Sequence, residues 1–258
     1  MNALVNLAAN HPVFFCLGVA VTCFVILLLL TGLALSKLPK PYGDLAAAAM
    51  RLTLTAVLLW LIWRLGGLEA SGLTRLGRWQ TWAFALAGLL TFCCAGLYAF
   101  YGKVAFDVTH LVRSPEARTV IWTQLATVIH EEVLYRGVVL FVLYSAWGHT
   151  GTGTIGSVVL TAVLFAIPHL MSVFMGVSLP ATLLLVTETC IIAVWWGALV
   201  LWGQSIWPAV VLHYVVNVVI AVQGLTAPMV TPDTLAYRRL LLFSIPLGVL
   251  GVALLTRM

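Results

Sequence analysis

Apolar residues run almost unbroken along this chain for stretches of about 20 positions, and polar residues collect between the stretches. A hydrocarbon layer about 30 Å thick is crossed by roughly 20 residues of helix. Eight runs fit that length, at about 13–35, 45–63, 79–102, 119–146, 155–175, 181–202, 207–223 and 239–256. Pro208 opens the seventh, where a first helical turn tolerates proline. Trp60, Trp63, Trp79, Trp82, Trp202 and Trp207 stand near run ends, as residues of an interfacial belt do. The segments 64–78 and 103–118 alternate apolar and basic residues, which predicts short helices lying at the membrane surface. The pattern therefore predicts an all-α, polytopic bundle of about eight transmembrane helices, with residues 1–258 forming a single integral membrane domain.

Composition agrees with that reading. Hydrophobic residues make up 62% of the chain and charged residues 8%, against about 25% charged in soluble domains. The net charge of +5 has no basic stripe with interleaved aromatics, so it suits loops near anionic lipid and not nucleic acid. Cys16, Cys23, Cys93, Cys94 and Cys190 all lie in apolar runs and read as buried free thiols. No Lys or Arg occurs in the first 36 residues, so the first run reads as a retained helix and not a secretory signal. Lys37, Lys40, Lys103, Arg113, Arg118, Arg238 and Arg239 fall on one side of an eight-span chain, and Arg64, Arg75, Arg78 and Arg257 on the other. That excess places the N-terminus outside the cytoplasm.

Ionisable groups inside spans are costly, about 2.5–3.5 kcal/mol at mid-helix on insertion scales. The fourth run nonetheless holds His130, Glu131, Glu132 and Arg136 within seven residues. The fifth holds His169 just after Pro168, which should kink that helix, and the seventh holds His213 and Asn217. Glu132 and Arg136 are four apart with the acid first, the favourable order for an ion pair on one helix face. Glu131 points about 100° away and is left without an intrahelical partner, the condition of a reactive carboxylate able to act as a general base. His213 and Asn217 share a face and together offer donors suited to a developing oxyanion.

Other intramembrane protease chemistries lack their residues. The one serine-glycine turn in a loop is Ser71-Gly72, preceded by Glu69-Ala70, and Asp44, Asp107 and Asp233 all sit in or beside loops. His130-Glu131 begins like a zinc-binding H-E-x-x-H helix, but Leu134 occupies the second histidine position, so His130 reads as a packing or supporting residue. Glu188 in the sixth run reads as a structural hydrogen bond within the bundle.

E-E-x-x-x-R at 131–136, F-x-x-x-H at 165–169 and H-x-x-x-N at 213–217, in that order on three apolar helices, resemble the CPBP family. These are the type II CAAX-processing endopeptidases and their bacterial relatives, including bacteriocin self-immunity proteins. The motif-bearing core covers about 115–225. The resemblance implies an intramembrane endopeptidase in which Glu131 and His169 activate water, His213 and Asn217 form the oxyanion site, and Glu132 and Arg136 support the first motif. It implies a membrane-associated substrate, such as a prenylated tail, a bacteriocin-like peptide or a sorting signal, and a multi-pass location, with the cytoplasmic membrane of a prokaryote expected. No cofactor is required by that scheme. A zinc enzyme with Glu131, His169 and His213 as ligands is the alternative within the same reaction class. A transporter or scaffold with a buried polar cluster is the alternative outside it, although the paired broken helices of a two-fold repeat are not seen.

Overall fold

The computed structural model describes residues 3–93, 114–226 and 240–257. Cys94, Lys103, Asp107, His110, Arg113, Asp233, Arg238 and Arg239 lie outside those residues. Helix occupies the described part of every predicted run. A short α1 (Ala3–Asn10) precedes α2 (Pro12–Lys37), α3 (Tyr42–Arg64) and α4 (Trp79–Thr91). Next come α5 (Pro115–Glu132), a π-helical segment (Val133–Leu140) and α6 (Phe141–Trp147), which together make the fourth predicted run. Then follow α7 (Gly151–Ala166), continued by a 3₁₀ segment (Ile167–Met175), α8 (Leu179–Gly203), α9 (Trp207–Thr226), a π-helical turn (Leu240–Ser244) and α10 (Ile245–Leu255).

Four of these helical stretches are long and apolar enough to cross a bilayer by themselves: 12–37, 42–64, 151–175 and 179–203. The helices over 207–222 and 242–255 are apolar but shorter. The 115–147 stretch differs for another reason: it carries the charged cluster.

Where the chain departs from regular α-helix, the cause is local. Pro168 cannot donate a backbone hydrogen bond. The helix answers by tightening to 3₁₀ from Ile167, and it stops at Gly176, whose φ of 88° is left-handed. The predicted kink thus takes the form of a change of helix type. Segment 65–78 is a set of turns rather than the expected surface helix. Its glycines explain the difference: Gly66, Gly72 and Gly77 adopt φ of 71°, 77° and 81°, which an L-residue resists and a helix excludes. The turns are fastened to the start of α9. Ser205 donates to the Arg75 carbonyl at 2.6 Å, and the Trp207 indole donates to the Leu73 carbonyl at 3.0 Å.

In the bundle, α3 lies between α2 and α5, α5 packs on α9, and α8 packs on both α7 and α10. Side chains such as Phe14, Leu29, Leu33 and Val249 project outward, as in a bundle whose solvent is lipid. The innermost layer is large and aromatic around Trp195, Trp196, Phe165 and Tyr135. The motif-bearing turns of α5, α7 and α9 meet against it.

Candidate active site

Glu132 ends α5, where the helix widens into its π-helical segment, a feature often found at functional sites. Its side chain is fully buried, and its Oε1 accepts from Arg136 Nη1 at 3.0 Å. The same oxygen lies 2.8 Å from His213 Nδ1. A carboxylate oxygen accepts, so an Nδ1–H of His213 donates to it and Nε2 is left for other work. The sequence places Glu132 with Arg136 alone; the contact across 81 residues to α9 makes it a bridge between two helices.

Aromatic rings hold these groups. The Arg136 guanidinium stands 4.5 Å from the Phe165 ring centroid and 5.2 Å from that of Trp196. His213 stacks on Trp196 at 4.3 Å. Phe165 also contacts His169 at 5.8 Å, His213 at 5.9 Å and Tyr135 at 5.1 Å. The phenylalanine of F-x-x-x-H is thus the ring on which the three motifs converge. Trp196 of α8 belongs to none of the motifs, and only its apolar surroundings mark it in the sequence.

Glu131 faces elsewhere. Its side chain is 31% exposed, and its Oε2 lies 3.7 Å from His213 Nε2. It lines a cavity of about 420 Å³ together with His130, His169, Arg51 and Tyr135, walled on one side by Phe24, Leu27, Leu28 and Leu35 of α2. His169 enters the same cavity from the 3₁₀ segment, and its buried Nδ1 has no protein partner. An apolar recess of about 310 Å³ adjoins it through the shared residues Phe24, Tyr135, Pro168 and Met171. A separate crevice of about 150 Å³ reaches Arg136 of the π-helical segment from Glu69, Ser71, Arg75 and Gln204.

The remaining expectations divide. Asn217 donates to Gln124 Oε1 of α5 at 3.3 Å and is not among the residues lining the cavity. His130 is buried and shares a 3.3 Å hydrogen bond with Thr55 of α3. Glu188 is buried in α8. Sequence reasoning passes over Arg51, although a lone arginine inside the second apolar run is itself a signal. As for the zinc alternative, no three His, Cys, Asp or Glu side chains gather into a metal-holding group among the described residues.

Residues 114–219 match the family described as Type II CAAX prenyl endopeptidase Rce1-like. The match begins at Ser114, which caps α5 by accepting from the Ala117 amide, and ends two residues beyond Asn217. It contains all seven motif residues. No curated protein and no solved structure matches the chain. Residues 114–219, the stretch that carries the motifs, are thus similar to a CAAX-protease family, within a chain that has helices long and apolar enough to cross a membrane.

Proposed function

We propose that the CAAX-protease-like domain hydrolyses a peptide bond of a membrane-associated protein or peptide with water activated by Glu131 and His169. The observation that carries this reading is that Glu131 and His169, from two separate helices, face one largely apolar cavity, while Glu132 is withdrawn into the protein. Leu28, Leu35 and Met175 line that cavity and are also exposed, which gives a substrate in the membrane a lateral entrance. The adjoining apolar recess suits a hydrophobic side chain or lipid substituent.

In this scheme, Glu131 takes a proton from water held between it and His169, and the new hydroxide attacks the carbonyl carbon. Negative charge moves to the carbonyl oxygen. The Nε2 side of His213, in its protonated form, donates to that oxyanion, and Arg136 and Glu132 keep the imidazole oriented through Nδ1. Asn217, one turn further along α9, becomes a second donor by exchanging its bond to Gln124 for one to the oxyanion. The C–N bond then breaks as Glu131 returns the proton to the leaving amine. Fixed donors of this kind act where charge develops, and a carboxylate, two imidazoles and an amide supply every proton transfer without a metal.

The test is to compare membrane proteomes of cells producing the wild type and Glu131→Gln at equal levels. The expected result is one or more membrane-associated proteins shortened only in the wild type, and the same cleavage by purified wild type in liposomes. A Glu131→Gln protein that cleaves at the wild-type rate overturns the assignment. Stoichiometric zinc in active wild type, lost with activity in His213→Ala, would replace it by the metal-dependent alternative.

A further inference from the structure

Arg136 uses only part of its hydrogen-bonding capacity. Its Nη1 donates to Glu132, while Nε and Nη2 meet no acceptor among the described residues, although the side chain is fully buried. Contact with the rings of Phe165 and Trp196 offsets part of the cost of the charge but supplies no acceptor oxygen. Nε and Nη2 form one edge of the planar guanidinium, and their N–H bonds point the same way. Such a fork matches two oxygens of one oxyanion.

The crevice that reaches Arg136 supplies the rest of a site, and it shares no lining residue with the cavity of Glu131. Arg75 and Glu69, an exposed ion pair, line it together with Tyr144 and Gln204, which carry a hydroxyl and an amide. Its volume of about 150 Å³ compares with about 10–15 Å³ for a water, so a small oxyanion and some water fit while a peptide does not. Segment 64–78, which contributes the ion pair, carries Arg64, Arg75 and Arg78 against the single acid Glu69. That excess draws anions to the mouth of the crevice, and a second guanidinium inside it favours an anion over water alone.

We propose that this crevice binds a phosphate-class oxyanion between the Nε–Nη2 edge of Arg136 and the guanidinium of Arg75. The anion comes free from solution or as the phosphate monoester of a lipid headgroup, since Arg75 is exposed. Glu69 is its competitor: the carboxylate occupies Arg75 and swings aside as the anion enters. Arg136 also holds Glu132, and Glu132 holds His213. An anion on the free edge of Arg136 therefore fixes the residue that begins the bridge from α5 to α9, and it stabilises the bundle whether or not peptide is cleaved.

The experiment titrates inorganic phosphate against the full chain in neutral detergent at fixed ionic strength, with calorimetry and thermal melts as readouts. Phosphate should bind saturably and raise the melting temperature of the wild type, as any ligand selective for the folded state does. Arg75→Gln should weaken binding by about 10- to 100-fold, the range of a hydrogen bond to a charged group. Glu69→Gln should tighten it several-fold, because the competing carboxylate is gone. Arg78→Gln removes the same charge from the same segment but lies outside the crevice, and its affinity should stay within about twofold of wild type. Equal weakening in Arg75→Gln and Arg78→Gln, or no saturable binding in the wild type, would overturn the site. Glu131→Gln should bind phosphate as the wild type does, which keeps the result apart from the catalytic assignment. Nanodiscs with and without phosphatidic acid then identify the source. If that lipid raises the melting temperature in phosphate-free buffer and blocks added phosphate in the wild type but not in Arg75→Gln, the oxyanion is a headgroup. If added phosphate binds equally well in its presence, the oxyanion is the free ion.

Discussion

The two sides of α5 present adjacent glutamates to opposite worlds. Towards α8 and α9 Glu132 has no exposure and meets Arg136 and His213, while Arg136 lies over two aromatic rings. Towards α2 and α3 there is a cavity, and Glu131 stands in its wall. A single residue step therefore separates a charge bridging two helices from a charge set in a cavity wall. In a bilayer this separation matters, since an unpaired buried charge is costly and a paired one is inert. The π-helical segment that starts at Val133 begins where the two environments meet.

The sharpest way to break this contrast is to remove each charge in turn. Glu131→Gln should lower cleavage by about 10²–10⁴-fold, the usual contribution of a general base, without changing thermal stability in detergent. An active variant, or one that unfolds, would erase the distinction between the two sides. Arg136→Ala should do the reverse. It leaves the buried Glu132 with His213 as its remaining partner, and a loss of about 3–5 kcal/mol is typical when one member of a buried pair is removed. Thermal melts and expression yield report it, and a normal melting temperature for both Arg136→Ala and Glu132→Gln would mean that the packed side tolerates an unpaired charge.

Asn217 tests whether the contrast extends along α9. Asn217→Ala should reduce turnover by about 10²–10³-fold with little change in KM, because an oxyanion donor acts mainly in the transition state. A rise in KM with kcat intact would instead place Asn217 in substrate binding.

Much of this arrangement is legible in the sequence, and the omissions have separate causes. Helices follow from apolar runs, and the Glu132–Arg136 pair follows from a spacing of four, because both depend on residues close in the chain. The bridge from Glu132 to His213 spans 81 residues and the Asn217–Gln124 bond spans 93, so no local period announces them. Segment 65–78 misleads because its alternating pattern suits a surface helix, while three left-handed glycines forbid one. Arg51 is overlooked for a different reason: it stands alone in its run, and its company, Thr55 excepted, comes from other helices.

The smallest effect decides how Asn217 should be understood. Its amide is tied to Gln124, and the oxyanion role requires that tie to be released. Gln124→Ala removes the tie and leaves Asn217 in place. Hydrogen bonds between membrane helices contribute about 0.6 kcal/mol on average, so the melting temperature should fall only slightly. Turnover should be close to wild type, since the amide no longer needs to exchange partners before charge develops. The paired measurement is therefore unequal by design: a large loss in Asn217→Ala and almost none in Gln124→Ala. Should the two variants lose turnover equally, the bond itself would be what matters. Asn217 would then act by fixing α9 against α5, and His213 would be left as the donor on that helix.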